Sequence, residues 1–143
     1  MANEIIKEFE GLRLEAYQDS VGIWTIGYGN TYYLDGKAVR KGDKITKQEA
    51  DFLFNHTVDI FASNVRKLVH VQLTSNQFEA IVSLAYNIGI GAFKSSTLLK
   101  KLNVNPNDPT IRNEFLKWKM AGGKEIKGLL NRRIKESDLY FKK

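Results

Sequence analysis

Apolar residues recur at helical spacing over Ile5, Ile6, Phe9 and Leu12, opposite a polar face of Glu4, Lys7 and Glu8. That period predicts a short first helix, with Gly11 placed to end it. From Arg13 to Leu34 the texture changes to short β-branched and aromatic runs cut by Ser20, Gly22, Gly27 and Gly29, the pattern of antiparallel hairpins. Asp35-Gly36 is a two-residue turn signal and predicts a further short strand over Lys37 to Val39. Gly42-Asp43 closes this mixed segment.

Thr46 followed three residues later by Glu49 forms a capping box, in which each side chain satisfies the other's helix-start amide. It predicts a long helix whose buried face is Ala50, Leu53, Phe54, Val58, Phe61, Val65, Leu68 and Val69. Thr74 and Gln77 repeat the box and open a more apolar helix through Phe78, Ile81, Val82, Leu84, Ala85 and Ile88, stopped at Gly89 and Gly91. A short helix is expected near Ser96 to Leu102, then a loop from Asn103 to Pro109. Asp108-Pro109 reads as N-cap and first residue of a helix running to Met120, Gly122-Gly123 as its break, and Leu129 to Phe141 as a last basic helix. The expected architecture is α+β within one domain: a mixed lobe over 1–45, a connecting helix over 46–72 and a helical lobe over 73–143. Two lobes joined in this way leave a cleft, and clefts hold ligands.

The chain has 143 residues, enough for one well-cored domain without metals or cross-links. With no cysteine, disulfides, thiol nucleophiles and cysteine-ligated metal centres are excluded, and His56 and His70 stand too far apart to make a promising metal site. No metal or cofactor is expected. The formal charge is +6, and it is uneven: residues 100–143 hold twelve Lys and Arg against five Asp and Glu, whereas residues 1–99 hold ten against eleven. Such asymmetry suits a polyanionic partner (nucleic acid, a membrane surface or an acidic wall polymer) and equally suits a solvated lysine-rich helical face. No window approaches the roughly 18 apolar residues of a membrane span, so no stable membrane insertion is expected.

The chemistry concentrates between Glu10 and Thr31. Glu10 falls at the end of the first helix, where the macrodipole disfavours an ionised carboxyl, which suits a proton donor. Asp19 lies in a polar turn beside Ser20 and is expected to stay ionised. Thr25 adds a hydroxyl able to orient a water. Two carboxyls in unlike environments are what glycoside cleavage requires. Taken alone, acids at a helix end and in a turn are more often solvated or capping.

Their context is more specific. The segment E-G-L-R-L-x-A-Y-x-D-x-x-G-x-x-T-I-G-Y-G, which spaces Glu10, Asp19 and Thr25, resembles the active-site segment of phage-type lysozymes, the endolysins of glycoside hydrolase family 24. Three more blocks follow in the family's order: Ile45 to Val58, Leu73 to Leu102 and Phe115 to Arg133, the last carrying F-x-x-W-x-x-A-G-G-K and paired arginines. The resemblance implies a lysozyme-like fold with the active site between the lobes. It also implies hydrolysis of the β-1,4 bond between N-acetylmuramic acid and N-acetylglucosamine in peptidoglycan. Glu10 would protonate the glycosidic oxygen while Asp19 and Thr25 position the water. Asn87 would hydrogen-bond sugar; Tyr28, Phe93 and Trp118 are candidate sugar or lobe-packing contacts, and Trp118 is more readily core. One of Arg132 and Arg133 would face the cleft and pair with Glu10 or anchor the neighbouring acid, the alternative being a basic surface helix continuing through Lys135. The same resemblance implies a monomer that accumulates in the host cytoplasm and reaches the wall once a holin permeabilises the membrane.

Two positions depart from the family pattern. Asn30 stands where histidine is common, removing a titratable brace near the site, and Lys127 stands where proline often precedes the Gly-Leu pair. Competing readings are a lytic transglycosylase, which does not need the Asp19–Thr25 pair; a nucleic-acid-binding domain, for which no recognition signature is present; and a non-catalytic wall-binding module.

Overall fold

In the computed structural model, which describes residues 2–143, the first apolar stripe forms helix α1 (Ala2–Glu10), burying Ile5 and Ile6. Gly11 follows in the left-handed region (φ +71°), a conformation that an L side chain resists, so the chain leaves the helix directly after Glu10. Strand β1 (Arg13–Gln18) then pairs antiparallel with β2 (Trp24–Gly27), setting Tyr17 opposite Thr25 and Gln18 opposite Trp24. On its other edge β1 takes backbone bonds from the segment before the long helix, Ala16 N to Asp43 O at 2.9 Å and Ile45 N to Leu14 O at 2.8 Å.

The Asp35-Gly36 turn is present, with Gly36 at φ +85° and Lys37 N donating to Asp35 Oδ1 at 2.9 Å. The strand predicted over Lys37 to Val39 is not formed; a single bridge pairs Tyr32 with Ala38. Two backbone bonds flank that bridge, Tyr33 N to Lys37 O and Val39 N to Thr31 O, each at 2.9 Å, and the Asp43 carboxylate adds to them by accepting from the Tyr33 hydroxyl at 2.7 Å and from Arg40 N at 2.9 Å.

Both capping boxes are made. Thr46 N donates to Glu49 Oε1 and Glu49 N to Thr46 Oγ1, each at 3.1 Å, and α2 runs over Lys47–Leu68. Thr74 and Gln77 do the same at the start of α3 (Ser75–Ile88). An unanticipated short helix α4 (Ile90–Lys94) starts immediately after Gly89, and α5 (Thr97–Val104) is capped by Ser96, whose Oγ accepts from Leu99 N at 3.1 Å. Helix α6 (Ile111–Leu116) is shorter than predicted. Asp108 caps no helix; its Oδ1 takes Thr110 N at 2.9 Å and Thr110 Oγ1 at 2.7 Å in a tight local turn. Beyond it Gly122 and Gly123, both at positive φ, turn a two-residue hairpin between β3 (Met120–Ala121) and β4 (Lys124–Glu125). Helix α7 (Lys127–Tyr140) follows. No helix among the described residues is long and apolar enough to cross a membrane.

Two compact units result, one of Ile6–Ile60 and the other of Phe61–Lys143 with the N-terminal residues up to Ile5, so the division falls inside α1 and α2. In the first, Ile6, Ile26, Tyr28, Val39, Ala50, Leu53, Phe54 and Val58 are buried. In the second, α3 packs on α7 and α7 on α6, around Ile81, Leu84, Leu102, Ile111, Phe115 and Tyr140. The α3–α7 contact includes a buried charge cluster. Glu136 Oε1 meets Arg133 Nε at 2.6 Å, and Glu136 Oε2 accepts from Arg132 Nε at 3.2 Å and from the Ser83 hydroxyl. Removing one partner strands the others away from water, so Glu136→Leu should lower unfolding free energy by about 3–5 kcal/mol, read from urea melts.

Glu114 supplies a second test. Burial alone would raise its carboxyl, but hydrogen bonds from Lys117 and Lys101, each at 2.9 Å, outweigh it and hold the group below its ordinary 4.5. A depressed folded value contributes stability above the unfolded one that is lost as pH falls through the folded one. Glu114→Gln should therefore melt at lower temperature near neutrality, yet lose less further Tm than wild type between roughly pH 5 and pH 3, by scanning calorimetry.

Candidate active site

All three residues picked out by spacing lie in the Ile6–Ile60 unit. Glu10 is the last residue of α1 and is half-buried. Its seat is the loop Gly27-Tyr28-Gly29 that follows β2, closed by paired backbone bonds between Ile26 and Asn30 at 2.8 and 2.9 Å. Gly29 has φ +80°, and a β-carbon placed there would come within 2.5 Å of Glu10 Oε1 and 3.1 Å of its Cδ. The carboxyl therefore lies directly on the bare face of the Gly29 α-carbon. That contact needs glycine for two separate reasons, backbone conformation and space.

Asp19 sits in the turn between β1 and β2, where Gly22 has φ +87°. Its Oδ1 accepts from Val21 N at 3.0 Å and Ile23 N at 2.8 Å, while its own backbone exchanges bonds with Ile23 O at 2.9 Å and Gly22 N at 3.0 Å. One carboxylate oxygen is thus fixed by two backbone amides, and Oδ2 accepts no hydrogen bond from the described residues. Thr25, 4% exposed, donates its hydroxyl hydrogen to Ile23 O at 2.9 Å. What both groups then present is acceptor character: a carboxylate oxygen and a hydroxyl lone pair.

Tyr17, which the sequence reading passed over, ties the three together. It stands opposite Thr25 in the strand register, hence on the same sheet face, and two residues before Asp19 in the turn that follows β1. Burial pushes its phenol above the ordinary value; the negative charge of Glu10 adds to this, Arg13 opposes it and Asp19 adds a smaller increment. Both carboxylates therefore act on one ring. The Arg13 guanidinium covers that ring at 4.4 Å from its centroid. Alternation along the strand would not have found it, since the register of β1 shifts between Arg13 and Tyr17.

Other predicted residues are placed differently. Phe93 is 0% exposed and offers no face to a sugar, so its role is packing. Tyr28 is likewise buried, its ring 4.9 Å from Phe54 and its hydroxyl donating to Asp51 at 3.1 Å. These two correct the expectation of aromatic sugar contacts: ring size and hydrophobicity placed them inside. Trp118 is half-buried, and its carbonyl accepts from Arg133 Nη1 at 3.4 Å. Arg132 and Arg133 both lie buried in the cluster around Glu136. Asn87, near the end of α3, is half-buried. Asn30 is buried and donates from Nδ2 to Thr57 Oγ1 at 3.0 Å. None of the predicted site residues lines the apolar groove of about 540 Å³ formed by Tyr33, Leu34, Ile45, Phe52 and Leu53. No group of three or more histidine or acidic side chains among the described residues could hold a metal ion.

Comparison with known proteins agrees with the geometry. The phage lysozyme family profile matches residues 7–136. The chain is 44% identical over 139 residues to the endolysin of Bacillus phage B103, covering 96% of this chain and about half, 51%, of that endolysin. Among solved structures, the endolysin from Escherichia coli O157:H7 phage FAHEc1 superposes with a TM-score of 0.87 at 42% identity, covering 98% of this chain and 90% of that one. The muramidase domain of SpmX from Asticaccaulis excentricus does so with a TM-score of 0.84 at 34% identity, over 99% and 95% of the two chains. With a mixed helix-and-hairpin unit that carries the carboxylates, a helical unit after it, and matches of this extent, the chain belongs to the phage lysozyme family.

Proposed function

We propose that the protein is a peptidoglycan hydrolase, an N-acetylmuramidase that cleaves the β-1,4 bond between N-acetylmuramic acid and N-acetylglucosamine. In this reading Glu10 is the general acid, and Asp19 and Thr25 hold the attacking water. The observation that carries it is the arrangement within one unit of Glu10 at the end of α1 against Gly29, Asp19 fixed through one oxygen in the β1–β2 turn, and Thr25 on β2 with its hydroxyl hydrogen already given away. The structural likeness to a muramidase domain adds weight to the choice of bond.

The hydrogen-bond directions fit the chemistry. Because Thr25 gives its hydrogen to Ile23 O, its oxygen can only accept; because Val21 and Ile23 saturate Asp19 Oδ1, the other oxygen is the one left for a water. A water that donates one hydrogen to Asp19 and the other to Thr25 turns its lone pair outward, toward an anomeric carbon. Glu10 donates its proton to the departing glycosidic oxygen, the C–O bond breaks, and the water oxygen bonds to the anomeric carbon as one of the water's protons passes to the Asp19 carboxylate. Asn87, near the end of α3, is a candidate sugar contact. The setting we propose is host lysis by a phage or prophage, with the enzyme acting on the wall as a monomer after a holin opens the membrane.

Turbidity loss of purified peptidoglycan tests the assignment. Glu10→Gln and Asp19→Asn should each lower turnover by roughly 10²–10⁴-fold while circular dichroism stays that of wild type. Undiminished activity in folded Glu10→Gln removes the proposal, and a 1,6-anhydro product by mass spectrometry replaces hydrolysis with transglycosylation. Gly29→Ala should behave as a catalytic lesion without touching a reacting group, since its methyl would occupy the place of the Glu10 carboxyl. Its kcat should fall roughly 10²-fold, whereas Gly36→Ala, in an open turn, should leave kcat near wild type.

A further inference from the structure

Asn30 is 5% exposed, and its side chain is incompletely satisfied: Nδ2 donates to Thr57 Oγ1 at 3.0 Å, while Oδ1 is buried with no hydrogen-bond partner. A buried, half-satisfied amide lowers stability relative to an apolar residue of similar size, so packing alone does not explain it. Its position does. The Asn30 main chain closes the loop whose Gly29 carries the Glu10 carboxyl. The side chain fastens that loop to α2, since the Thr57 hydroxyl in turn donates to Leu53 O at 2.8 Å.

We infer that Asn30 and Thr57 are positioning residues that set the Glu10 carboxyl through Gly29. The inference rests on the muramidase reading above. The relay has one allowed direction. A helix carbonyl takes the only hydrogen of the Thr57 hydroxyl, so Thr57 faces the loop with lone pairs alone, and the residue at position 30 must donate. An amide meets that demand. An ionised carboxylate would oppose oxygen to oxygen and push the loop away from α2. The loop is only three residues long between its closing backbone bonds, so displacement of Asn30 is passed to Gly29, the next residue back, and from there to the carboxyl lying on it. General-acid catalysis depends on that placement, and errors of about 1 Å in such groups cost up to roughly 10²-fold in rate.

Four variants read the relay: Thr57→Val removes the acceptor, Thr57→Ser keeps it, Asn30→Asp removes the donor, and Glu10→Gln marks the loss of the acid itself. Each is assayed on soluble glycan strands for kcat and KM, at a temperature where circular dichroism shows all of them folded. Thr57→Val and Asn30→Asp should lower kcat roughly tenfold to a hundredfold with KM within about twofold of wild type, and Thr57→Ser should return kcat to within about threefold. A role confined to stability would move Tm and leave kcat untouched; folded Thr57→Val with wild-type kcat, or with KM alone raised, overturns the inference. Should Asn30→Asp not fold, the Thr57 pair decides alone. If wild type itself does not cleave the strands, the muramidase reading falls and this inference with it. If wild type cleaves, Glu10→Gln does not and Thr57→Val matches wild type, the relay alone is wrong.

Discussion

A side-chain carboxyl lying against a bare α-carbon is the contact on which the Ile6–Ile60 unit is organised. For Glu10 to reach Gly29, α1 must stop at Glu10, and it does because Gly11 takes a conformation that helical residues avoid. The loop must also return to the helix end, which requires β1 and β2 to pair in the register that opposes Tyr17 to Thr25. The capping box at Thr46 and Glu49 fixes where α2 begins, and so where Thr57 meets Asn30. Local rules of sequence are thereby converted into the location of one oxygen.

Hydrogen-bond direction, more than charge, distinguishes the two carboxyls. Asp19 is held by two backbone amides, donors that cannot rotate away and cost no side-chain entropy. Glu10 rests its carboxyl on the bare α-carbon of Gly29, where a side chain of any other residue would collide with it. Thr25 and Thr57 repeat one device: each gives its hydrogen to a nearby backbone carbonyl and keeps only acceptor character for what faces it. On the hairpin that acceptor suits a water, and on α2 it is met by an amide. The strand pair and the helix therefore prepare polarity as well as position.

Much of this was legible in the sequence because it is local. Both capping boxes, the glycine stop after α1 and the turn at Asp35-Gly36 depend on residues within four positions of one another, and the structure has them. At Asp108 the short carboxylate found its donors in Thr110, and the helix begins only at Ile111. Phe93 and Tyr28 were read as sugar contacts, yet their burial is fixed by residues distant in sequence, which one chain's pattern does not display. The pairing of Arg132 and Arg133 with Glu136 was visible at i,i+4 and i,i+3 spacing, and attention to the arginines alone missed it.

The charge asymmetry also looks different with pairs assigned. Of the basic residues in the last third, Lys101 and Lys117 hold Glu114, Arg112 holds Asp138, Lys119 reaches Glu125, and both arginines of α7 surround Glu136. Glu114 and Glu136 are thus built into packing, while Lys100, Lys124, Lys127, Lys142 and Lys143 are exposed. Internal pairing does not alter the net charge that a distant polyanion senses, but it determines which cations can approach one closely. The long-range attraction is screened beyond about 8 Å at physiological salt, so any contribution to wall binding falls to the exposed lysines and weakens as salt rises. Stability of the helical unit rests on the buried set, which salt screens far less. The same formal excess of positive charge thus divides into a part that folds the unit and a part that solvent and partners meet.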